Sequence, residues 1–369
     1  MKSYDAIIVG GGAAGLFCAL TAGARGKRVL VLERNAEVGA KILISGGGRC
    51  NFTNVNAGDA SRFISANPHF ARSALARFKP ADFIALVQKH RVVHYEKTLG
   101  QLFCEGAGAA KTIVRMLLDE CAAGGVEIRT NCALQSVSRT DRFVVETSAG
   151  AFEAPALVIA SGGLSIPKLG ANDIAYRIAR QFDVPISPTR AGLVPLTFGE
   201  DDLAWMRQLS GVSAPVLARC GGAAFREAAL FTHRGLSGPA ILQVSSYWSA
   251  GGVIELDWAP DVSEDFLVER KRARPKALIK TALSEIIPSR LAEALTVRAA
   301  QSPLGDHNDD GLRVLMQTVK RARFIPTGTE GYAKAEVTVG GIDVNALSQQ
   351  TMEARTVPGL HFIGECVDV

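Results

Sequence analysis

Residues 5–33 have the sequence DAIIVGGGAAGLFCALTAGARGKRVLVLE, and this stretch decides the fold of the chain. Residues 5–9 are a short, mostly apolar run of the kind that forms a buried parallel strand. A glycine cluster follows, then apolar residues at helical spacing, and Gly26 ends that helix. Residues 29–32 are a second apolar run. The stretch therefore predicts a strand, a tight turn, a helix and a second strand, the start of a Rossmann-type domain.

Three glycines between the first strand and the helix form the pattern Gly-x-Gly-x-x-Gly. The first glycine permits the tight turn, the second lets the backbone approach a pyrophosphate, and the third lets helix and strand pack closely. The N–H groups at the start of the helix favour phosphate, and an acidic residue ending the second strand suits ribose hydroxyls. The residues predicted to contact a dinucleotide here are Gly10, Gly12, Ala13, Ala14, Gly15, Glu33 and Arg34.

A second glycine-rich loop, GAKILISGGGRCN at residues 39–51, follows directly after the ribose-binding strand. An NAD-dependent dehydrogenase does not need such a loop, whereas FAD does, because its ribityl chain and isoalloxazine ring extend beyond the pyrophosphate. Cationic side chains in the loop can hold anionic oxygens or stabilise the negative charge of a reduced flavin. The sequence therefore predicts non-covalently bound FAD, with further contacts from Lys41, Ser45, Gly46, Gly47, Arg49, Cys50 and Asn51.

Three later segments are predicted to complete the FAD site. Residues 132–134 stand where such folds pass a strand beside the adenine, and residues 156–160 are an apolar strand that leads into a small-residue turn. Residues 359–368 deliver acidic groups after another strand, and the last carboxylate could bind ribityl hydroxyls. The residues predicted to contact FAD in these segments are Ala133, Ser161, Gly162, Gly364, Glu365 and Asp368.

The loop at residues 39–51 resembles the hallmark of a bacterial family of NAD(P)- and FAD-dependent oxidoreductases, whose members are labelled aminoacetone-oxidase-like or bile-acid-reductase-like proteins. Other matches follow along the whole chain: ASGG (160–163), THRGLSGPAIL (232–242), TVGGI (338–342), TMEAR (351–355) and GLHFIGECVD (359–368). The resemblance implies a glutathione-reductase-like FAD domain interrupted by an inserted domain, without naming a substrate. The family continues past this aspartate with a glycine-rich turn and a final helix, so the resemblance also implies a native chain longer than 369 residues.

Changes of pattern divide the chain into four segments. Residues 1–189 form the first part of the FAD-binding domain, and prolines mark its end. Short alternating runs predict an inserted β-rich subdomain at 190–258, and apolar residues at helical spacing predict an inserted helical subdomain at 259–330. Residues 331–369 return to the FAD-binding domain. The predicted fold class is α/β, a discontinuous glutathione-reductase-like Rossmann domain with a β-rich and helical insert.

Three residues are candidates for catalytic roles. Because flavin exchanges hydride at N5, the protein positions the substrate and handles a proton. His233 lies in a loop of the insert and suits a general acid, although a histidine that caps a turn fits equally well. Arg234 could bind a substrate carboxylate or carbonyl. Cys50, next to Arg49, could have a lowered pKa and a redox role, or be a small packing residue.

These features predict an FAD-dependent oxidoreductase that exchanges two electrons with a small, partly apolar substrate. NAD(P)H is expected as a transient donor, because no second dinucleotide domain is visible in the sequence. Reduction of an activated C=C bond and oxidation of an amine or hydroxyl group by oxygen both remain open. The alternative is a non-catalytic flavin-binding or redox-sensing protein.

The charge and cysteine content of the chain limit the kinds of partner that we expect for it. The net charge of +5 is mild, so we expect no nucleic-acid partner and interpret the basic run at 270–276 as the solvated face of a helix rather than an RNA-binding patch. The 7 cysteines lack metal-binding spacing and fit a reducing compartment, so we expect a cytoplasmic protein without a metal site. The sequence shows neither a signal peptide nor an apolar run long enough to span a membrane. The oligomeric state stays open.

Overall fold

The computed structural model describes residues 1–296 and 301–369, so residues 297–300 of the predicted helical subdomain lie outside the described part. The chain forms two compact units, one of residues 1–190 and 338–369 and the other of residues 191–337. The predicted domain boundaries after residues 189 and 330 lie one and seven residues before the boundaries between the two units, which follow residues 190 and 337. Elements on both sides of the predicted division at residue 258 belong to the same unit.

A five-stranded parallel sheet forms the centre of the first unit. Its strands, in spatial order, are Leu360–Phe362, Ala156–Ile159, Ala6–Val9, Val29–Leu32 and Glu127–Arg129. The two strands predicted from residues 5–33 lie side by side, and the predicted helix between them spans Ala13–Gly23. All four residues of Val29–Leu32 are buried, because a sheet covered on both faces favours an unbroken apolar strand.

Alternate residues of the central strands enter two different cores. Ile8 and Val31 pack in the core that contains the helices Ala13–Gly23 and Ala110–Ala123. Ile7 and Leu30 enter the core on the opposite face, with residues of an antiparallel sheet. All four side chains are fully buried, and each such burial contributes about 1.5–3 kcal/mol to folding.

Smaller elements surround this sheet in the first unit. A four-stranded sheet joins Lys2–Ser3, Gly150–Ala154, Phe143–Thr147 and Leu134–Arg139. A three-stranded antiparallel sheet joins Asn51–Asn54, Gln101–Cys104 and His94–Glu96. The remaining helices are Ala40–Gly48, Arg72–Arg77, Pro80–Lys89, Ala110–Ala123 and Ile174–Gln181. A two-stranded sheet pairs Ile186–Gly192 with Val337–Ile342. These two segments contain the points where the chain passes from the first unit to the second and where it returns.

The second unit is built on a seven-stranded antiparallel sheet. Its strands, in spatial order, are Ala322–Phe324, Ile254–Asp257, Ser213–Cys220, Ala223–Thr232, Gly235–Ser237, Leu196–Thr197 and Gly328–Thr329. Its helices are Glu200–Met206, Pro239–Ser245, Phe266–Ala273, Ile279–Leu283, Ser289–Leu295 and Asp309–Lys320. In the predicted helical subdomain at 259–330, the first three helices, Phe266–Ala273, Ile279–Leu283 and Ser289–Leu295, are short because Pro275 and Pro288 interrupt the helical pattern.

Candidate functional site

The first unit contains a cavity of about 620 Å³ at the carboxyl ends of its parallel strands. Its wall includes the ends of three neighbouring strands, at Val9, Gly10, Leu32, Glu33, Ala160 and Ser161. The strand Ala6–Val9 has the next strand of the chain on one side and Ala156–Ile159 on the other, so the strand order reverses there. Open α/β sheets bind ligands at such a switch point.

The glycines of the first turn meet different steric conditions. A Cβ on Gly10, whose φ is +113°, would lie 2.4 Å from the carbonyl oxygen of Ala160. A Cβ on Gly15 would lie 1.9 Å from the carbonyl oxygen of Gly10, so neither position has room for a side chain. A Cβ on Gly12 would meet nothing within 4 Å, and its φ of −81° suits any residue. The missing side chain at Gly12 therefore leaves room in the cavity, whereas those at Gly10 and Gly15 leave room for neighbouring backbone.

The helix Ala13–Gly23 begins at the wall of this cavity. Its N-cap residue, Gly12, has no side chain to accept a hydrogen bond from the first turn. Both Gly12 and Ala13 line the cavity. Because the first N–H groups of a helix lack partners within the helix and carry partial positive charge, this end of the helix is suited to a phosphate group.

Glu33 is a buried carboxylate at the end of the second strand. It is 8% exposed and lines the cavity. Its Oε2 accepts a hydrogen bond from the Gly11 backbone N–H, and its Oε1 accepts one from the Asn35 backbone N–H, both at 2.8 Å. An ionised carboxylate has about four acceptor sites, so both oxygens can still accept from ribose hydroxyls.

A charged network joins four segments of the first unit. The Nζ of Lys41 lies 2.6 Å from Oε2 of Glu365 and donates to Oγ of Ser165 at 2.7 Å. Oε1 of Glu365 accepts from Ser165 Oγ at 2.7 Å and from the Thr338 backbone N–H at 3.0 Å. Lys41 and Glu365 also line the cavity. The fold thus brings together two residues that are 324 positions apart, and joins them as an ion pair.

The polar groups of the cavity fit an FAD molecule. The Oγ of Ser161 is buried without a hydrogen-bond partner among the described residues, so it is available to a ligand. Gly162, with a φ of +77°, has nothing within 4 Å of an added Cβ and leaves its backbone accessible. An open helix N-terminus, a ribose acceptor at Glu33 and a cation at Lys41 match the phosphates and hydroxyls of the cofactor.

The sequence profile of the HI0933-like protein Rossmann domain matches residues 4–369. The chain belongs to the HI0933-like family. The match extends over both units of the fold. It confirms the resemblance to FAD-dependent oxidoreductases at the level of the superfamily.

Two relatives of known name cover nearly the whole HI0933-like chain. A ribosomal RNA dihydrouridine synthase of Escherichia coli K12 is 48% identical over 375 residues, which include 100% of this chain and 93% of the relative. A 3-dehydro-bile acid Δ4,6-reductase of Clostridium scindens is 27% identical over 385 residues, which include 98% of this chain and 92% of the relative.

One solved structure aligns with the full length of this HI0933-like protein. It is a 3-ketosteroid-Δ4-(5α)-dehydrogenase from Rhodococcus jostii RHA1 in complex with 4-androstene-3,17-dione. The TM-score is 0.51 at 13% identity, and the alignment covers 100% of this chain and 91% of the other. This likeness shows the fold, and together with the family match it confirms the predicted Rossmann-type FAD-binding domain of mixed α/β content.

The predicted FAD contacts of the HI0933-like protein separate into two groups. Those that line the cavity are Gly10, Gly12, Ala13, Ala14, Glu33, Arg34, Lys41, Ala133, Ser161, Gly162, Gly364 and Glu365. Those that do not line it are Gly15, Ser45, Gly46, Gly47, Arg49, Cys50, Asn51 and Asp368. Asp368 is buried, and its carboxylate accepts a hydrogen bond from the Ala66 backbone N–H at 3.4 Å. Its predicted contact with ribityl hydroxyls stays a prediction.

The predicted loop at residues 39–51 is in large part a helix, Ala40–Gly48, that ends in a left-handed turn. The helix starts at the cavity, where residues 39–42 line the wall. Gly46 and Gly47 have φ values of +57° and +68°, and a Cβ on Gly46 would lie 2.6 Å from the ring of Phe103. The glycines thus turn the backbone closely over an aromatic ring, which explains why this turn excludes side chains.

Cys50 follows that turn and is buried at 3% exposure. A hydrogen bond from the thiol of Cys104 lowers the pKa of Cys50, with a smaller contribution from Ser45 in the same direction. The lowered pKa suggested for Cys50 thus has Cys104 as its main cause rather than the neighbouring Arg49, and a redox role for Cys50 stays a prediction. The same pairing raises the pKa of Cys104. A thiol that donates to a thiolate explains both directions.

Titration of the ultraviolet thiolate absorbance should detect this pair. Because its folded-state pKa is depressed, Cys50 should ionise at a pH below that of an ordinary thiol, and its contribution to stability should be lost as the pH falls through that pKa. Cys104→Ala should raise the pH midpoint at which Cys50 ionises, and Cys50→Ser should abolish this low-pH step of the thiolate titration. A midpoint that stays unchanged in Cys104→Ala would contradict the pairing.

Sequence reasoning missed one side of the cavity, formed by residues 169–174 and Arg177. The segment is held near the second strand, because the side-chain amide of Asn35 donates to the Leu169 carbonyl oxygen at 3.1 Å. Asn172 accepts a hydrogen bond from the Ile174 N–H at 2.9 Å, at the start of the helix Ile174–Gln181. The sequence signal was Gly170 followed by an Asn-Asp pair before an amphipathic run.

His233 and Arg234 lie in the second unit, in the turn between the strands Ala223–Thr232 and Gly235–Ser237. The Arg234 backbone N–H donates to Thr232 Oγ1 at 3.2 Å, and the Arg234 guanidinium lies 3.8 Å from Glu330. These contacts hold the turn, and the catalytic roles of both residues stay predictions.

No group of three or more His, Cys, Asp and Glu side chains in residues 1–296 and 301–369 could hold a metal ion. Within the same ranges, every helix is too short or too polar to cross a membrane.

Proposed function

We propose that this protein is an FAD-dependent reductase that saturates a C=C bond conjugated to a carbonyl group, and that its substrate is a uracil base in ribosomal RNA. The observation that carries the proposal is the 48% identity to a ribosomal RNA dihydrouridine synthase over 100% of this chain. Dihydrouridine is uridine with a saturated 5,6 double bond. The Δ4,6-reductase relative is also named for reducing double bonds, which supports the same class of chemistry.

The cavity of the first unit supports the cofactor part of this proposal. The start of the helix Ala13–Gly23 would bind the pyrophosphate, Glu33 the ribose, and Lys41 an anionic oxygen. Bound FAD would supply the hydride at N5. The protein's own task is to hold the uracil in place, to exclude water and to provide a proton.

The electrons would come from NAD(P)H as a transient donor. One NAD(P)H would be oxidised to NAD(P)⁺, one hydride would reach the carbon of the double bond that is β to the carbonyl, and one proton would reach the α carbon. His233 remains our candidate for the proton donor and Arg234 for a carbonyl contact, as predictions. The proposal replaces two expectations, a small free substrate and the absence of a nucleic-acid partner, with a base presented by RNA. The cytoplasmic location stays a prediction.

Mass spectrometry of RNA tests this function. Purified FAD-loaded protein would be incubated anaerobically with NADH or NADPH and with ribosomal RNA from cells that lack the gene. We expect one uridine to gain the mass of two hydrogen atoms, and no gain without the nicotinamide. As a control, protein carrying Gly12→Val should be inactive because it cannot load FAD.

Two results would contradict the proposal. If NADH and NADPH both fail to bleach the flavin absorbance, the proposed reductase activity is wrong and a flavin-binding sensor becomes the better interpretation. If the flavin is bleached but the RNA keeps its mass, while a free C=C substrate conjugated to a carbonyl is reduced, the chemistry stands and the RNA substrate is wrong.

A further inference from the structure

One face of the three-stranded sheet in the first unit combines aromatic and cationic side chains. Asn51 pairs with Phe103, and Phe103 pairs with Tyr95, so the three side chains lie in one row on one face. The helix Ala40–Gly48 runs from the cofactor cavity to the first strand of this sheet. Ser45, Gly46 and Gly47 have non-helical backbone angles, and nine positions along the chain separate Ile42, at the cavity wall, from Asn51 in the row.

Two cations flank the aromatic rings of this row. The rings of Tyr95 and Phe103 stack with centroids 6.1 Å apart and an interplanar angle of 23°. The guanidinium carbon of Arg49 lies 5.7 Å from the Phe103 centroid, and Nζ of Lys97 lies 5.5 Å from it. Arg49 also donates to the hydroxyl of Tyr95 at 3.4 Å. Phe103 is buried, Tyr95 is half-buried, and both cations are exposed.

The charges of these two cations are not neutralised by carboxylates. Within residues 1–296 and 301–369, neither Arg49 nor Lys97 has an acidic group within 4.0 Å, and both are held by aromatic rings instead. Residues 49–97 contain eight Lys and Arg but three Asp and Glu, so this segment has a net charge of +5, equal to that of the whole chain. The net positive charge is thus concentrated in this stretch of sequence, where Arg62 and Lys89 are paired with Asp59 and Glu120 while Arg49 and Lys97 are not paired with a carboxylate of the described residues.

The basic run at residues 270–276 differs in this respect. Arg270 and Arg274 lie 2.7 Å and 3.6 Å from Glu285, and Lys271 lies 2.9 Å from Asp309. Three cations of the run are therefore paired with acidic side chains. This supports its interpretation as a solvated helix face, and it removes the run as the main attraction for an anionic polymer.

We propose that the face formed by Arg49, Tyr95, Lys97 and Phe103 binds single-stranded RNA beside the target uridine. The inference rests on the proposed function and adds where the RNA is held. Tyr95 would stack on a base, while Arg49 and Lys97 would contact phosphates. Sequence-tolerant binding of single strands combines these two elements, aromatic stacking and a positively charged surface.

RNA binding by the FAD-loaded protein tests the inference. The fluorescence anisotropy of a labelled single-stranded oligouridine would be measured at several salt concentrations. The double variant Arg49→Gln/Lys97→Gln should bind about 10-fold or more weakly at ~0.1 M salt, and its log–log salt slope should fall by about 1.4, or about 0.7 for each lost phosphate contact. Tyr95→Ala should bind about 10-fold more weakly without a change of slope.

Matched variants separate binding from folding. Arg272→Gln/Lys276→Gln removes two exposed charges from the basic run and should keep the wild-type affinity. Tyr95→Phe keeps the ring and should also bind as the wild type does. Flavin absorbance and thermal unfolding of each variant report whether cofactor and fold are intact, which matters most for Arg49, a predicted FAD contact.

The outcomes distinguish the two proposals. If the wild type forms dihydrouridine and binds the oligonucleotide, but the sheet variants bind as tightly as the control variant, the inference is overturned and the function stands. If the sheet variants lose RNA affinity only when they also lose flavin, the surface is a cofactor site and the inference is also overturned. If the wild type neither binds RNA nor forms dihydrouridine, the function itself fails.

Discussion

A protein with Gly12→Val is expected to fold normally and to purify without flavin. Gly12 has a φ of −81° and a ψ of −171°, which any residue adopts, and a Cβ there would meet no atom within 4 Å. The valine side chain would instead project into the cavity at the start of the helix Ala13–Gly23, where the pyrophosphate is expected. We expect FAD affinity to fall by at least about 100-fold, equivalent to about 2.7 kcal/mol. Titration of the apoprotein with FAD, followed by flavin fluorescence, measures this loss.

Gly15→Val provides the matched comparison, because this glycine belongs to the same turn but faces the interior. Its Cβ would lie 1.9 Å from the carbonyl oxygen of Gly10. Strand and helix would have to separate, and overpacking of this kind costs about 3 kcal/mol or more. The midpoint temperature of thermal unfolding, compared among apoproteins, should therefore be lower in Gly15→Val than in the wild type and unchanged in Gly12→Val. Flavin retention by Gly12→Val would show that the pyrophosphate does not bind at this turn.

Glu33→Ala should lower both stability and FAD affinity. The carboxylate is 8% exposed and accepts hydrogen bonds from the backbone N–H groups of Gly11 and Asn35. Removing it leaves two donors without their acceptors, at about 1–3 kcal/mol each, so the apoprotein should lose about 2–6 kcal/mol of unfolding free energy. Urea denaturation of the apoprotein gives this value independently of the cofactor.

Two variants control for the loss of charge and of the hydrogen bonds at position 33. Glu37→Ala removes the same charge from an exposed position four residues further on and should change stability by less than about 0.5 kcal/mol. Glu33→Gln keeps one acceptor oxygen and should lie between the wild type and Glu33→Ala. Equal stability of Glu33→Ala and Glu37→Ala would mean that the two backbone hydrogen bonds contribute little.

The dinucleotide half of the site could be predicted because its determinants are local. Within residues 5–33, strand, turn and helix are adjacent in the chain, and steric conflict at Gly10 allows few residues other than glycine. The end of the second strand also follows from the pattern, which places Glu33 at the cavity. The backbone geometry of this motif depends on residues that are close together in the chain, so the motif has the same structural role in any fold that contains it.

The other half of the site could not be predicted in the same way. The glycine-rich segment at 45–48 has the composition of a ligand-binding loop, yet Gly46 packs against the ring of Phe103. Residues 169–174 have no strong motif, yet they form one side of the cavity because Asn35 holds them there. In both cases the neighbour that gives the segment its role lies far away in the chain.

The sequence by itself determined the Rossmann motif, because its strand, turn and helix are adjacent in the chain, and the resemblance of the chain to a family of FAD-dependent oxidoreductases implied the cofactor and an inserted domain. Only the tertiary structure decided which charges are available. It paired Lys41 with Glu365 across 324 positions, paired three cations of the basic run with Glu285 and Asp309, and left Arg49 and Lys97 beside aromatic rings. The physical reason is that the availability of a charge depends on the groups within about 4 Å of it, and folding brings most of those groups from distant parts of the chain.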